Sequence, residues 1–325
     1  MRGVTTLVVS GRVEWLAKRA VRSSETGRRP TEQTIDDRGD AAPDGRGAPF
    51  RRLRVAGPLA TSVRRRSHSV MQPCHHVVVL TGAGISADSG VRTFRDAGGL
   101  WEGHRVEDVA TPEGWARDPR LVWSFYQQRR RQLREVAPNP AHHALAAFER
   151  VLVARGHEFT LITQNVDNLH DRAGSRVLHM HGELQSLRCE RCDLVFVDTL
   201  HLDPGRFVEC PECAHARLRP DIVWFGEVPF HLDAIAEVMN ACTHFLAIGT
   251  SGQVWPAAGM LVAARARGAA TFVQALDPPS NLASCDRYHQ GRASEVVPAM
   301  LAELARELGL EDSAGLGGGA GLAGS

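Results

Sequence analysis

Two C-x-x-C pairs, Cys189/Cys192 and Cys210/Cys213, are separated by 17 residues. This spacing falls within the C-x₂-C-x₁₅₋₂₀-C-x₂-C pattern, in which each pair presents two thiolates to one tetrahedral zinc ion. Four thiolates leave no open coordination position, so the expected ion is structural. A redox role for the pairs lacks a thioredoxin-like setting. A nucleic-acid-binding ribbon is a further alternative, but the neighbouring residues are not strongly basic. Cys74, Cys242 and Cys285 are scattered, so the seven cysteines form no disulfide framework, and a cytoplasmic location is expected.

A second chemical signal is Gly82-x-Gly84-x-x-Ala87, directly after the apolar run His76–Leu80. Glycines at this spacing permit a tight turn and close backbone approach to a pyrophosphate. The turn is expected to open a helix whose N-terminus favours the anion. Hydride transfer is disfavoured, because the acid usually found about 20 residues on is replaced by a glycine-rich stretch, Phe94-Arg95-Asp96-Ala97-Gly98-Gly99-Leu100-Trp101. A third signal is His179-Met180-His181-Gly182-Glu183, since an imidazole titrates near neutral pH and suits general-base work. His179, two residues before His181, is expected to point to the opposite face of a strand. His179 is expected to be the structural member of the pair.

These groups need rigid elements to hold them. Short apolar runs at 76–80, 159–163, 245–248 and 270–275 alternate with helical patterns, the signature of a parallel sheet with helices on both faces. Helices are expected over Pro119 to about Arg134, Ala141 to about Ala154 with Asn139 as N-cap, and roughly Ser294 to Leu308. Residues 184–219 break this rhythm and carry both cysteine pairs. The expected division is therefore 76–183 and 220–308 for an α/β domain, with a helical insert at about 95–155, and 184–219 for a small zinc module.

Four blocks occur in order: Gly82-Ala83-Gly84-Ile85-Ser86, Thr163-Gln164-Asn165-Val166-Asp167-Asn168-Leu169-His170, His179–Glu183 and Gly249-Thr250-Ser251. Together they resemble the signature blocks of the sirtuin (Sir2) family of NAD-dependent protein deacylases, over about residues 76–305. The resemblance implies a Rossmann-like domain, a small zinc domain and a substrate cleft between them. It further implies that NAD⁺ is a consumed co-substrate, and that acyl-lysine is converted to lysine with release of nicotinamide and O-acyl-ADP-ribose. By position His181 is then the base, with Asn165 and Asp167 beside it. NAD⁺ contacts are implied for Gly82, Ala83, Gly84, Ile85, Ser86, Phe94, Arg95, Trp101, Gln164, Asn165, Val166 and Asp167. Further contacts are implied for Gly249, Thr250, Ser251, Ala275, Leu276, Asp277 and Ala293. Ser86, Arg95 and Trp101 belong to the loop expected to close over the co-substrate. The family often has Asn where Ala275 stands, which leaves the adenine-ribose contact to Asp277 or to the backbone. Mono-ADP-ribosyl transfer to protein is the alternative chemistry.

Tyr126 and Arg129 lie at i and i+3, on the helix face that also carries Val122 and Leu133. The segment resembles a bacterial-type class III desuccinylase and demalonylase branch, in which such a pair recognises acidic acyl chains. A guanidinium can bind a carboxylate bidentately while a phenol adds a donor. Ala110 resembles a small residue that leaves room for a longer chain. Arg130 and Arg131 continue a charge run that is expected to be solvated. Val223-Trp224-Phe225-Gly226-Glu227 resembles the segment that pairs with the backbone of an acyl-lysine protein or peptide.

Residues 1–75 hold 15 basic and 7 acidic residues, and 76–325 hold 23 and 30. The first segment reads as a basic, disordered arm or as sequence ahead of a true start at Met71. An organellar leader is disfavoured by its acidic residues. Nucleic acid is not an expected partner except through this arm. Residues 309–325 read as a flexible tail. No stretch reaches the roughly 18 apolar residues of a membrane span, so no membrane partner is expected. A monomer is favoured. Lys18 is the only lysine in the chain.

Overall fold

The structure, a computed structural model, describes residues 74–92, 100–101 and 103–310. Phe94, Arg95, the basic arm and the tail from residue 311 lie outside the described residues. In chain order the strands are β1 (His76–Thr81), β2 (Leu100–Trp101), β3 (His104–Arg105), β4 (Glu158–Thr163), β5 (Val177–His179) and β6 (Gly182–Arg188). They continue as β7 (Val195–Val197), β8 (Arg219–Ile222), β9 (His244–Ile248), β10 (Ala270–Ala275) and β11 (Arg287–Gln290). The α-helices are α1 (Val106–Val109), α2 (Pro112–Arg117), α3 (Pro119–Gln132), α4 (Pro140–Ala154), α5 (Leu169–Ala173), α6 (Leu232–Ala241), α7 (Ala257–Ala266) and α8 (Ala293–Glu307).

Six strands form one parallel sheet in the order β11-β10-β9-β1-β4-β5. This is the doubly wound order, and its switch point lies between β1 and β9. The fold class read from the apolar runs is the one observed. Because side chains alternate along a strand, Val77 and Val79 of β1 join one core with α4 and α8, while Val78 and Leu80 join another with α6 and α7. A strand buried on both faces must be apolar throughout, as β1 is.

Three helices start on the same local device, a cap residue followed by proline. Thr111, Asp118 and Asn139 each accept a backbone N–H of the first turn, and Pro112, Pro119 and Pro140 occupy the next position. At Asn139 the cap is reciprocal, since His142 Nδ1 accepts the Asn139 N–H at 3.3 Å. The glycine-rich turn, in contrast, does not open an α-helix. It forms two 3₁₀ turns, Ala83–Ile85 and Ala87–Ser89, which end at Gly90 with φ +90°. Its backbone is committed elsewhere, to Gly249 across the switch point. Asp88 is spent on capping α8, accepting from the Ser294 hydroxyl at 2.7 Å and the Ser294 N–H at 3.3 Å.

A further core unites two stretches distant in sequence. Val109, Trp115, Val122, Trp123, Phe125 and Tyr126 pack with Leu184, Leu187, Leu218, Ile222 and Trp224. Helices α1–α3 thus share their apolar faces with the antiparallel ribbon β7-β6-β8. This explains why Arg130 is not solvated as expected. The ribbon covers a second face of α3, and Arg130 is buried with its guanidinium 2.9 Å from Asp198 and 3.0 Å from Gln127 Oε1. Replacing Arg130 by Met should cost about 3 kcal/mol, as when one side of a buried ion pair is lost. Urea denaturation of the zinc-loaded chain checks this, and a loss below about 1 kcal/mol would contradict it.

Candidate active site

The C-terminal ends of β1, β4 and β9 bring three loops together. Gly82 N–H donates to the Ile248 carbonyl and Gly84 N–H to the Gly249 carbonyl, both at 2.9 Å. A Cβ on Gly84 would stand 2.8 Å from Gly249 Cα, and Gly249 itself has φ +61°. Only glycine meets both demands, a close approach and a left-handed backbone. Gln164 crosses from β4 to this junction, donating to Thr250 Oγ1 at 3.2 Å and to the Thr81 carbonyl at 3.4 Å. Asn165 donates to the Gly82 carbonyl at 3.1 Å and to Ser86 Oγ at 3.2 Å. The sequence blocks at 82–86, 163–170 and 249–251 are therefore one hydrogen-bonded unit.

Ser86 is fully buried beneath the turn, bonded to Asn165 and 3.5 Å from His142 Nε2. Asp167 is buried and accepts the Leu169 N–H at 3.1 Å; burial raises its carboxyl above the usual range. Beneath these lie polar groups that the sequence reading did not single out. Thr81 Oγ1 donates to Thr163 Oγ1 at 2.8 Å and lies 3.0 Å from His170 Nε2. The His170 and His142 rings are 4.8 Å apart. Gln274 holds both Gly249 N–H, at 3.2 Å, and the Gly291 carbonyl, at 2.7 Å. A polar residue ending an apolar strand was the available signal for Thr81, Thr163 and Gln274.

His181 Nδ1 lies 3.0 Å from the Gln164 carbonyl. A carbonyl can only accept, so Nδ1 carries the proton and Nε2 offers its lone pair. Burial lowers the His181 pKa, with the Gln164 carbonyl opposing in part. The backbone of His181 is engaged too, its carbonyl accepting the Val223 N–H at 2.9 Å. His179 and His181 do not share a strand as expected, because β5 ends at His179, whose Nε2 lies 3.0 Å from Asp171 Oδ2.

Around this centre Arg129, Trp101, Asp167, Val91 and Leu184 line one cleft. The Arg129 guanidinium lies 3.2 Å from the Phe125 ring centre and 5.4 Å from that of Trp101. Tyr126 does not reach the cleft surface. It is wholly buried, and its hydroxyl accepts Trp224 Nε1–H at 2.9 Å. Burial raises the Tyr126 pKa, so the phenol stays neutral. Ala110 is buried nearby, its carbonyl accepting the Phe225 N–H at 3.0 Å. Glu227 accepts the Trp224 N–H and pairs with Arg219 at 2.8 Å, which fixes segment 223–227 from both ends; Gly226 turns at φ +93°. On the far side of the switch point, Thr250 and Ser251 follow Gly249, and Ala275 ends β10 with its carbonyl accepting from Tyr288 Oη at 3.1 Å. Leu276 and Asp277 are exposed, and Ala293 is buried at the start of α8.

The four cysteine sulfurs converge, with Cys189 Sγ and Cys213 Sγ 3.6 Å apart and Cys192 Sγ and Cys210 Sγ likewise 3.6 Å. Zn–S bonds of about 2.3 Å in a tetrahedron place sulfurs about 3.8 Å apart, so the set fits one structural zinc. The two knuckles are built alike. Asp193 N–H donates to the Cys189 carbonyl and Ala214 N–H to the Cys210 carbonyl, and both donors have positive φ, +58° and +54°.

A doubly wound sheet with a glycine turn at its switch point defines a nucleotide-binding class, here joined to a thiolate zinc ribbon and a buried histidine. Residues 82–256 match the Sir2 family, and the chain belongs to it. It is 49% identical over 231 residues to an NAD-dependent protein deacylase of Pasteurella multocida, covering 70% of this chain and 97% of that protein. A protein of the same description from Caulobacter vibrioides is 48% identical over 234 residues, covering 71% and 98%. Among solved structures, a Sir2 homolog–NAD complex superposes with a TM-score of 0.65 at 38% identity, covering 72% of this chain and 90% of that one.

The buried imidazoles make stability depend on pH. Burial lowers His142 to about 4 and His170 well below its ordinary value. Below pH 6.5 the unfolded chain takes up protons that the folded chain refuses, so their contribution is complete above 6.5 and falls as pH drops towards 4. The melting temperature should decline across that window, and less steeply in His142→Gln. Equal slopes for the two proteins would refute the assignment.

Proposed function

We propose that this chain is an NAD⁺-dependent protein-lysine deacylase that accepts acidic acyl groups, succinyl and malonyl, as well as acetyl. The observation that carries the reading is the His181 tautomer: a bond to the Gln164 carbonyl presents an unprotonated Nε2 beside the loop that meets the glycine turn. Such a nitrogen can take a ribose hydroxyl proton. NAD⁺ supplies the ribose carbon that the acyl oxygen attacks as nicotinamide leaves. The Gly82–Gly84 turn provides close backbone approach for the phosphates, while Asn165 and Asp167, rigidly bonded from beneath, orient the nicotinamide end. Phe94 and Arg95 belong to the same reading, as does the adenosine side at 249–251 and 275–277.

For the acyl group, Arg129 supplies a guanidinium on the cleft wall. Tyr126, wholly buried behind that wall, accepts the Trp224 Nε1–H and braces the helix that carries Arg129. The 223–227 segment, tied between Ala110 and His181, is suited to hold a peptide in extended form, which recognises backbone more than sequence. Relatives fit this scheme: a Sir2 protein bound to a myristoylated histone peptide shares 32% identity at a TM-score of 0.55, covering 71% of this chain and 92% of that one.

Acetyl-, succinyl- and unmodified lysine peptides, incubated with NAD⁺ and followed by mass spectrometry, test the reading. Both acylated peptides should yield lysine and O-acyl-ADP-ribose. Modification of the unmodified peptide by ADP-ribose would instead favour mono-ADP-ribosyl transfer. His181→Ala should abolish turnover, and activity that survives it removes the base. Arg129→Met should lower succinyl turnover about thirty-fold or more, corresponding to about 2 kcal/mol or more for an unpaired buried carboxylate, and spare acetyl. Because burial lowers His181, the acidic limb of the pH–rate profile should fall below 6.5.

A further inference from the structure

Besides the cysteine site, one other group of metal-ligating side chains converges among the described residues: Asp171 on α5, His179 at the end of β5 and Glu183 on β6. Their ligand atoms all lie within 4.8 Å of one another. His179 Nε2 stands 3.0 Å from Asp171 Oδ2 and 3.8 Å from Glu183 Oε1. The imidazole is buried, with 9% of its side chain exposed, whereas the carboxylates are 44% and 39% exposed. The cluster is thus rooted in the protein on its nitrogen side and open to water on its oxygen side.

We propose that Asp171, His179 and Glu183 form a second cation site, for a divalent transition ion of nitrogen and oxygen preference. A simple ion pair accounts poorly for the arrangement. Nε2 can give one proton to one carboxylate, and Asp171 takes it. Glu183 is left facing another carboxylate, and among the described residues both acids are paired only with His179. Two carboxylates therefore converge on one imidazole. Ligand bonds of about 2.0–2.2 Å set neighbouring donor atoms about 3 Å apart. Asp171 and His179 already meet that spacing, and Glu183 reaches it by a shift of about 1 Å in an exposed side chain. One imidazole with two carboxylates suits Mn²⁺, Fe²⁺, Co²⁺ or Zn²⁺ and leaves positions for water.

The location gives the ion a mechanical role. The 163–168 loop is held by the same three elements: Leu169 N–H of α5 donates to Asp167 Oδ1, Met180 N–H after β5 to the Thr163 carbonyl, and Leu184 N–H of β6 to the Val166 carbonyl. An ion joining Asp171, His179 and Glu183 would fasten α5, β5 and β6 together under the loop that carries Asn165 and Asp167.

The test uses the full zinc-loaded chain and Mn²⁺, which competes poorly for thiolates and leaves the cysteine site intact. Loss of the free-ion electron paramagnetic resonance signal should report one Mn²⁺ per chain, and Glu183→Gln and Asp171→Asn should weaken binding about tenfold or more. In the wild-type chain the bound ion should also broaden the His181 ring resonances, a readout independent of the variants. A free-ion signal undiminished to about 1 mM, unbroadened His181 resonances, or wild-type affinity in both variants would overturn the site.

Discussion

Gly84 and Gly249 touch without room for a methyl group between them, and the ligand end of the sheet depends on that contact. It draws the β1 turn across to β9, which brings Thr250 within reach of Gln164 and the Gly82 carbonyl within reach of Asn165. Gln274 secures the same glycine from the β10 side. The constraint also explains why the turn is 3₁₀ and not the start of an α-helix. Its backbone is fixed by a neighbour before a helix could claim it, and Asp88 is committed to capping α8.

The other wall of the cleft is assembled differently, by apolar packing between stretches far apart in sequence. Trp224 follows the ribbon, Tyr126 lies on α3, and their hydrogen bond joins the two inside one core. Arg130 and Asp198 repeat the connection at the edge. The zinc ribbon is therefore also the support for α3, and through it for Arg129. A metal that closes the ribbon can in this way hold a guanidinium in place on the cleft wall.

Features set by local chemistry were legible in the sequence. The valine run of β1, the cap-proline starts of α3 and α4 and the two cysteine knuckles each depend on near neighbours, and each stands where the residues place it. Arg130 was misread because its burial is decided by a ribbon about 70 residues away. His142 and His170 gave no sign of their contact, since nothing in either segment shows that α4 and α5 meet. His179, expected to be the structural member of its pair, proved to have acidic company on two other elements. Long-range contact, more than chemistry, was what the sequence withheld.

His181 is anchored twice: its ring to the Gln164 carbonyl, and its own carbonyl to the Val223 N–H. The first bond ties it to the loop after β4 and the second to the segment after β8. A molecule that shifts either loop therefore also shifts the imidazole. The position of the ring is thus set jointly by two segments that lie far apart in the chain.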